Sequence, residues 1–403
     1  MNGNLDEKTK KDAPDSEVAL NTTSQNKIDE QWKVGRKPPY VKSYSGIEKT
    51  LVFPSIVGKT KVTGIANDFE FISEDEDYQE NIEEIVIPEG YTYIGEAAFS
   101  GCFKLKKVTL PSTLTSIGRA AFSRCNSLES IAIPDSVTEL GSYSFNGCSK
   151  LKCLLLPPHL QSIGSGAFGD CTELREITIP KETSLGNGAF ERCYKLADDS
   201  GMLIINGILF GYFGREKKVV VPPCVREISY GAFACNEYVT SVTLSDSVTL
   251  IGNDAFASCT SLNEIHLPTS IVEIGCDAFR ECNNLREIVI PPKVTFIYPY
   301  CFMRCHNLIN IQIPDGVTTI RYNAFMKCSS LEEIDLPKSV EIIEMEAFKD
   351  SGIKTLIIRN PALVMHKKSL MGCSGYTIYA PEGSLVSTVF PSRTKVLENY
   401  DGK

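Results

Sequence analysis

The segment at residues 105–128 reads LKKVTLPSTLTSIGRAAFSRCNSL and holds one complete structural unit of this chain. Val108 and Leu110 lie two residues apart, which is the spacing of a strand with one buried face. Pro111 has no backbone N–H to donate to a neighbouring strand, so we expect the strand to end there. A second short extended piece ends at Ile117. The unit therefore predicts two extended pieces joined by a turn.

The rest of the unit predicts a compact bend. Gly118 permits the change of chain direction that follows the second extended piece. Phe122 and Cys125 lie three residues apart, so they fit one side of a single helical or 3₁₀ turn. Each unit is thus predicted to be a short coil with one main strand.

The same unit recurs along most of the chain every 23 residues, with one spacing of 22. Such self-similarity is the mark of a repeat architecture. A phenylalanine identifies each unit at Phe99, Phe122, Phe145, Phe168, Phe190, Phe233, Phe256, Phe279, Phe302, Phe325 and Phe348. A cysteine follows three residues later at Cys102, Cys125, Cys148, Cys171, Cys193, Cys259, Cys282, Cys305 and Cys328.

A coil of this length cannot bury its own apolar face, whereas stacked coils share one continuous core. The sequence therefore predicts an α/β, β-rich solenoid of about twelve coils, with the main strands paired in one long parallel sheet. At about 4.8 Å between adjacent strands, the body would be roughly 55–60 Å long.

The ends and the middle of the chain depart from the repeat. Residues 1–40 are polar and aperiodic, which predicts a disordered leader or tether, and residues 398–403 form a tail. The solenoid itself is predicted at 41–397, with a C-terminal cap at 359–397. An insertion at 197–221 contains Asn-Gly between two apolar runs, which predicts a β-hairpin that projects from the solenoid. Two roles stay open for it, a structural plug and a functional protrusion.

The elements Ile-x-Ile-Pro, Val-x-x-Ile-Gly and Ala-Phe-x-x-Cys resemble those of the BspA-like leucine-rich-repeat family of bacterial surface proteins. The resemblance covers about residues 45–390, and the insertion is similar to the family's usual mid-array hairpin. It implies a right-handed solenoid with the main strands on its concave side. It also implies roles in adhesion, host-protein binding or cell-cell contact, and it supplies no catalytic residues.

The cysteines and histidines are better explained by structure than by chemistry. Nine of the 15 cysteines share one position of the coil, which predicts a ladder of buried free thiols rather than disulfides. Cys301, Cys305 and His306 have a loosely metal-like spacing, but the ladder position of Cys305 predicts an inward sulfur. No histidine stands in a known catalytic pattern. We therefore expect no metal, no cofactor and no enzymatic activity.

Composition narrows the classes of partner. The formal net charge of -9 disfavours nucleic acid, because phosphate neutralisation needs a surplus of Lys and Arg. No apolar run reaches the ~20 residues that a membrane-spanning helix needs. No export leader follows Met1. The resemblance implies the cell surface or secretion, and a native start at Met1 would imply the cytoplasm.

The positions that do not repeat should carry recognition, because strand alternation turns them outward on the concave face. We expect an acidic strip in the C-terminal half, formed by Glu264, Glu287, Glu333 and Asp335 and suited to a basic partner. A small apolar patch in the middle includes Cys153 and Leu155. The candidate partner-binding residues are Glu264, His266, Glu287, Asn310, Gln312, Glu333, Asp335, Cys153 and Leu155. The alternative for all of them is selection for β-propensity and solubility alone.

The sequence thus favours a non-catalytic protein-binding module, acting in adhesion or surface recognition through the concave face. Its expected partner is a protein, including host extracellular or cell-surface proteins, and the chain is expected to be a monomer. A glycan-binding surface module ranks lower, because the single Trp, Trp32, falls in the predicted leader and the concave positions hold no Tyr. An intracellular scaffold is the third alternative.

Overall fold

The chain folds as a solenoid with parallel sheets and little helix, as predicted. The computed structural model describes residues 27–35, 39–72 and 78–399. It contains about 15 turns rather than twelve, because the atypical turns at both ends and the turn at the insertion also stack in the array. Most of the predicted leader, residues 1–26, lies outside the described residues, as do the last four residues of the predicted tail.

The main strands form the first of two ladders of strands, which we call the first ladder. Each central residue is buried between two outward neighbours, as Val108 is between Lys107 and Thr109. The strands of this ladder are Thr50–Val52, Glu84–Val86, Lys107–Thr109, Cys153–Leu155, Glu176–Thr178, Lys218–Val220, Ser241–Thr243, Glu264–His266, Glu287–Val289, Asn310–Gln312, Glu333–Leu336, Thr355–Ile358, Thr377–Ala380 and Thr394–Val396.

The first ladder is parallel, but the prediction of one continuous sheet is wrong. It is divided into sheets of two to four strands. Three-residue strands make few hydrogen bonds each, so the ladder is interrupted wherever the few bonds of one strand pair are not formed. One such opening follows Glu264–His266, and another follows Asn310–Gln312.

The second extended piece of each coil builds a second ladder. It pairs with the same register, for example Ser116 with Glu139 and Ile117 with Leu140. The repeating strands of this ladder are Tyr93–Ile94, Ser116–Ile117, Glu139–Leu140, Ser162–Ile163, Ser184–Leu185, Ile208–Tyr212, Glu227–Ile228, Leu250–Ile251, Glu273–Ile274, Phe296–Ile297, Thr319–Ile320, Ile342–Ile343 and Val364–Met365.

The segment around each phenylalanine is a turn, not the helical or 3₁₀ turn predicted from sequence. In the unit quoted above, Ala120 and Arg124 have left-handed backbones, with φ of 51° and 61°. This conformation points the amides along the solenoid axis, so Phe122 N–H donates to the carbonyl of Ser144 in the next coil at 2.8 Å. A helix would use those amides within its own coil. The turns around the phenylalanines form the third side of the solenoid. This side is therefore also hydrogen-bonded from coil to coil.

The phenylalanines stack in a column along each half of the array, with the hairpin between the two halves. The rings of Phe122 and Phe145 lie 5.4 Å apart at 8°, and those of Phe145 and Phe168 lie 5.5 Å apart at 5°. All three side chains are fully buried. Offset stacking of this kind adds about 0.5–1.5 kcal/mol per pair to the free energy gained by burial.

The ladder cysteines are buried free thiols, as predicted. Each thiol from Cys125 onward donates to the carbonyl of the phenylalanine one coil earlier. The Sγ of Cys148 lies 3.2 Å from the carbonyl oxygen of Phe122, and that of Cys305 lies 3.0 Å from that of Phe279. Burial raises the pKa of Cys148 to about 12. A small apolar side chain with one weak donor is what this position needs.

The insertion forms the predicted hairpin, but it does not project. Strands Met202–Ile205 and Ile208–Tyr212 pair antiparallel around Asn206 and Gly207, and the second strand then continues the second ladder beside Glu227–Ile228. Phe210 packs edge-on against Phe190 at 5.2 Å, while Tyr212 packs on Phe233 at 5.3 Å. Of the two roles left open, the geometry supports the plug, because the hairpin joins the two halves of the core.

The array begins earlier than the sequence predicts. Trp32–Val34 forms a strand that pairs with Tyr40–Tyr44, although both ranges begin inside the predicted disordered leader. Trp32 is buried, with its ring 4.4 Å from that of Tyr44 and 4.8 Å from that of Phe53. The prediction failed because an end-covering strand packs on one side only and so carries no repeat in its sequence.

A separate set of elements covers the other end. The predicted C-terminal cap contains two paired strands, Thr377–Ala380 and Thr394–Val396. The helix Leu385–Val389 lies between them. The short 3₁₀ helices of the described chain are Tyr78–Asn81, Tyr194–Leu196 and Leu397–Asn399, and a small antiparallel hairpin joins Ile56–Val57 to Thr60–Lys61.

We expect Phe145→Ala to lower the free energy of unfolding by about 3–5 kcal/mol, because it removes a fully buried ring and both stacking partners lose contacts. Phe390→Ala, in the C-terminal cap, is the control and should cost less. Guanidinium unfolding followed by circular dichroism measures both changes. An equal loss for the two variants would contradict a central role for the column.

The thiols should fall into two classes of reactivity. Cys153, Cys224 and Cys235 are exposed, so we expect three fast thiols with Ellman's reagent near pH 8. The ladder thiols should stay silent until the chain unfolds, because burial holds their pKa values far above that pH. Cys153→Ser should remove one fast equivalent. Rapid modification of the ladder in the native protein would contradict the buried thiols.

Candidate functional site

The nine candidate residues are all exposed, and they occupy the outward positions of the first ladder as predicted. Register pairing aligns them into columns. Glu287 lies beside Asn310, and Val289 lies beside Gln312, with Ile288 and Ile311 buried beneath them. The columns therefore form a surface in which side chains vary while the backbone repeats.

The outward positions of the first ladder end before the last coils. Ile357, which pairs with Asp335 in the ladder, is 1 % exposed. Its neighbours in the ladder are Asp335 on one side and Tyr379 of the cap on the other. The closing elements thus cover this position, and the usable face ends at Asp335.

Two adjoining grooves run along the C-terminal half of this face. The first has a volume of about 780 Å³, and the second a volume of about 890 Å³. The first contains Glu264, His266, Glu287, Asn310 and Gln312 in its lining. The second contains Asn310, Gln312, Glu333 and Asp335. Because two residues border both grooves, seven of the nine candidates form one continuous surface.

The grooves lie where the first ladder is open. In the described chain, no backbone hydrogen bond joins strand Glu264–His266 to Glu287–Val289, or strand Asn310–Gln312 to Glu333–Leu336. Main-chain N–H and C=O groups that face these two gaps therefore make no ladder hydrogen bonds, and the polar side chains of the strands lie above them.

The charges of the predicted acidic strip are not equivalent. The carboxylate of Glu264 lies 2.8 Å from Nε2 of His266. Nε and Nη2 of Arg359 donate to the two carboxylate oxygens of Asp335, at 2.8 and 2.7 Å. Glu287 and Glu333 have no ion pair within the described residues. Asp335 is thus compensated by an arginine, whereas Glu264 contacts a histidine that is charged only when protonated. Glu287 and Glu333 are the carboxylates of the strip with neither kind of partner.

Two arginines at the site were missed by sequence reasoning. Arg286 lines the first groove, and Arg359 lines the second. Arg286 precedes its strand directly, in a column with Glu83, Lys106 and Lys152 that also faces outward. An inspection of the residues that directly precede the strands would therefore have revealed Arg286 from the sequence. Arg359 required the structure, because it lies just after a strand and reaches back to the preceding coil.

Cys153 and Leu155 are not part of the grooves. They lie on a strand several coils toward the N-terminus, paired with Glu176–Thr178. Both side chains are exposed, and Leu155 is 79 % exposed. The structure therefore separates the predicted apolar patch from the predicted acidic strip.

The residues with a metal-like spacing do not converge. Cys301 and Cys305 are buried, whereas His306 is exposed. The Cys305 thiol faces inward toward the Phe279 carbonyl. Across the described parts of the chain, no group of three or more His, Cys, Asp or Glu side chains is arranged to hold a metal ion. Nor is any helix in the described ranges long and apolar enough to cross a membrane.

Stacked coils with two parallel ladders and variable outward columns define a leucine-rich-repeat protein. The chain belongs to the BspA-type leucine-rich-repeat family, whose model matches residues 70–197, 202–309 and 249–377 with six copies. The family identified from the coil motifs is thus confirmed. Among curated proteins, none matches the chain.

Solved structures of bacterial leucine-rich-repeat proteins share the fold. A protein from Bacteroides ovatus is 25 % identical, with a TM-score of 0.51 over 91 % of this chain and 97 % of that one. One from Eubacterium ventriosum is 24 % identical, with a TM-score of 0.52 over 73 % and 90 %. The pneumococcal vaccine antigen PcpA is 20 % identical, with a TM-score of 0.56 over 91 % and 95 %.

The Asp335–Arg359 pair should stabilise the fold modestly and reduce the charge of the strip. We expect a double-mutant cycle with Asp335→Ala and Arg359→Ala to give a coupling of about 0.5–1 kcal/mol, because a bidentate pair holds better geometry than a single contact. Lys152 and Glu129, joined by one contact at 2.6 Å, form the control pair and should couple more weakly. Equal couplings in thermal unfolding would contradict the bidentate geometry.

Proposed function

We propose that this chain is a non-catalytic protein-binding module that acts in adhesion or surface recognition. Its binding surface is the pair of grooves on the first ladder, from Glu264 to Asp335. Proteins with this fold generally serve as binding modules, and the family resemblance favours a location at the cell surface or outside the cell.

The observation that carries the proposal is the continuity of the two grooves. Seven exposed candidates border one surface that crosses four successive strands, and ladder hydrogen bonds are missing at two of the three gaps between those strands. An extended, shallow surface suits a protein partner, because protein interfaces are broad and need no deep cavity. A small-molecule site would instead enclose its ligand.

The charge pattern indicates the chemistry of the partner. Glu287 and Glu333 contribute negative charge without compensation, and Asn310 and Gln312 between them offer both donors and acceptors. A partner segment that carries Lys or Arg side chains and unpaired main-chain groups would be complementary to this arrangement of carboxylates and amides. Complementary charge of this kind mainly raises the association rate and sets specificity.

The glycan-binding alternative has less support. Stacking on sugars needs exposed aromatic rings, and Trp32 is 4 % exposed inside the N-terminal end of the core. The lining of the two grooves contains no aromatic side chain among the described residues. An intracellular scaffold would use the same surface, so only the source of the partner separates that alternative from adhesion.

The test compares charge reversal on the groove with charge reversal elsewhere. The full chain is immobilised and exposed to host extracellular-matrix proteins and, separately, to lysate of the producing cell. We expect the triple variant Glu264→Lys, Glu287→Lys and Glu333→Lys to bind captured proteins at least tenfold more weakly, measured by surface plasmon resonance. Binding by the native chain should also weaken with added salt.

The control variant carries the same change of charge on exposed positions away from the grooves, at Glu139, Glu182 and Glu237. It should bind like the native chain. Binding that survives the groove reversal would sink the proposed site. If the chain binds proteins from the lysate but none from the extracellular matrix, the result would favour the scaffold alternative over adhesion.

A further inference from the structure

In the last four coils, the residue that follows each strand of the second ladder is no longer glycine. In most earlier coils a glycine follows the strand, and close packing favours it: a Cβ at Gly141 would lie 2.5 Å from backbone atoms of the coil before. In the last four coils the corresponding residues are Tyr298, Arg321, Glu344 and His366. This part of the surface therefore carries large side chains where the rest of the ladder is narrow.

These coils expose a group of apolar side chains, which we call the C-terminal apolar patch. It consists of Tyr322, Ile342, Met345 and Val364, which are 40, 43, 46 and 57 % exposed. They line one groove of about 480 Å³ together with Glu344 and His366. Contiguous apolar surface of this kind is uncommon on a monomer and marks an interaction site.

The patch is held in place by neighbouring side chains. The guanidinium of Arg321 lies over the ring of Phe296 at 5.2 Å and forms an ion pair with Glu344 at 3.6 Å. Tyr322 packs edge-on against Tyr300 at 5.1 Å. A surface fixed in this way loses little side-chain entropy when it binds.

Opposite charges border the patch. Glu341 lies on the edge where the strands begin, and Lys367 and Lys368 lie on the edge beyond their ends. All three side chains are exposed, and none has an ion pair within the described residues. A matching surface must therefore carry apolar side chains between a basic edge and an acidic edge. The patch itself is such a surface.

We propose that a second copy of this chain covers the C-terminal apolar patch in a weak symmetric dimer. A two-fold axis parallel to the solenoid places the Glu341 edge of one copy opposite the Lys367 and Lys368 edge of the second. The patch crosses three coils, or about 15 Å along the solenoid, so the area it can bury lies below the standard size of stable interfaces. The dimer therefore depends on protein concentration.

This inference departs from the monomer expected from the sequence, and it is independent of the proposed binding function. The first ladder takes no part in the contact, so both copies keep their grooves free. Two grooves in one particle would allow a partner with repeated sites to bind with higher avidity.

The first test uses sedimentation equilibrium of the full chain from low micromolar to near-millimolar concentration. Native protein should show a monomer–dimer equilibrium. Val364→Glu and Ile342→Glu should each raise its dissociation constant at least tenfold, because they place a charge in the apolar contact. Ile56→Glu, at a comparably exposed position near the N-terminal end, is the control and should leave it unchanged.

The second test exchanges the bordering charges, which sit at the surface and should not affect folding. Glu341→Lys should weaken the dimer, and so should Lys367→Glu with Lys368→Glu. An equimolar mixture of these two proteins should recover the contact as a heterodimer, and the combined variant, in which both edges are reversed, should recover it as a homodimer. Native protein that stays monomeric throughout, or a dimer that withstands both sets of changes, overturns the proposal.

Discussion

Every coil of this protein depends on its neighbours, because 23 residues cannot enclose a core. The column of stacked phenylalanines is the clearest result of that constraint, with ring centroids from 4.8 to 5.5 Å apart at nearly every step within each half. A break in the column would expose two apolar faces. The hairpin in the middle avoids this by placing Phe210 against one half and Tyr212 against the other.

The same constraint explains the strained turns on the third side. Left-handed backbone at residues such as Ala120, Tyr143 and Lys327 costs about 1–2 kcal/mol each. In return, each turn directs its amides to the next coil, as in the bond from Lys327 to the carbonyl of Lys349 at 2.8 Å. Hydrogen bonds join successive coils on three sides, and the stacked phenylalanines join them in the core. The array is therefore rigid, and its outward side chains are held in fixed columns.

A rigid array leaves function to the positions that vary. On the first ladder, the C-terminal half combines open strand edges, amides and two uncompensated carboxylates. On the second ladder, the last four coils combine apolar side chains with bordering charges of both signs. The two surfaces lie on different sides of the same coils. The proposed partner and the proposed second copy therefore do not compete for space.

The sequence by itself determined the coil, its register and the outward direction of all nine candidate residues, because a 23-residue period puts equivalent positions side by side. It also determined the buried thiols. Only the tertiary structure decided that Trp32 closes the N-terminal end and that Ile357 is covered by the cap. It also decided that the first ladder opens into grooves, and that Arg359 compensates Asp335. These features depend on how the ends of the array are covered, on which neighbouring strands form hydrogen bonds, and on how far side chains reach between coils. None of these follows from a repeating pattern.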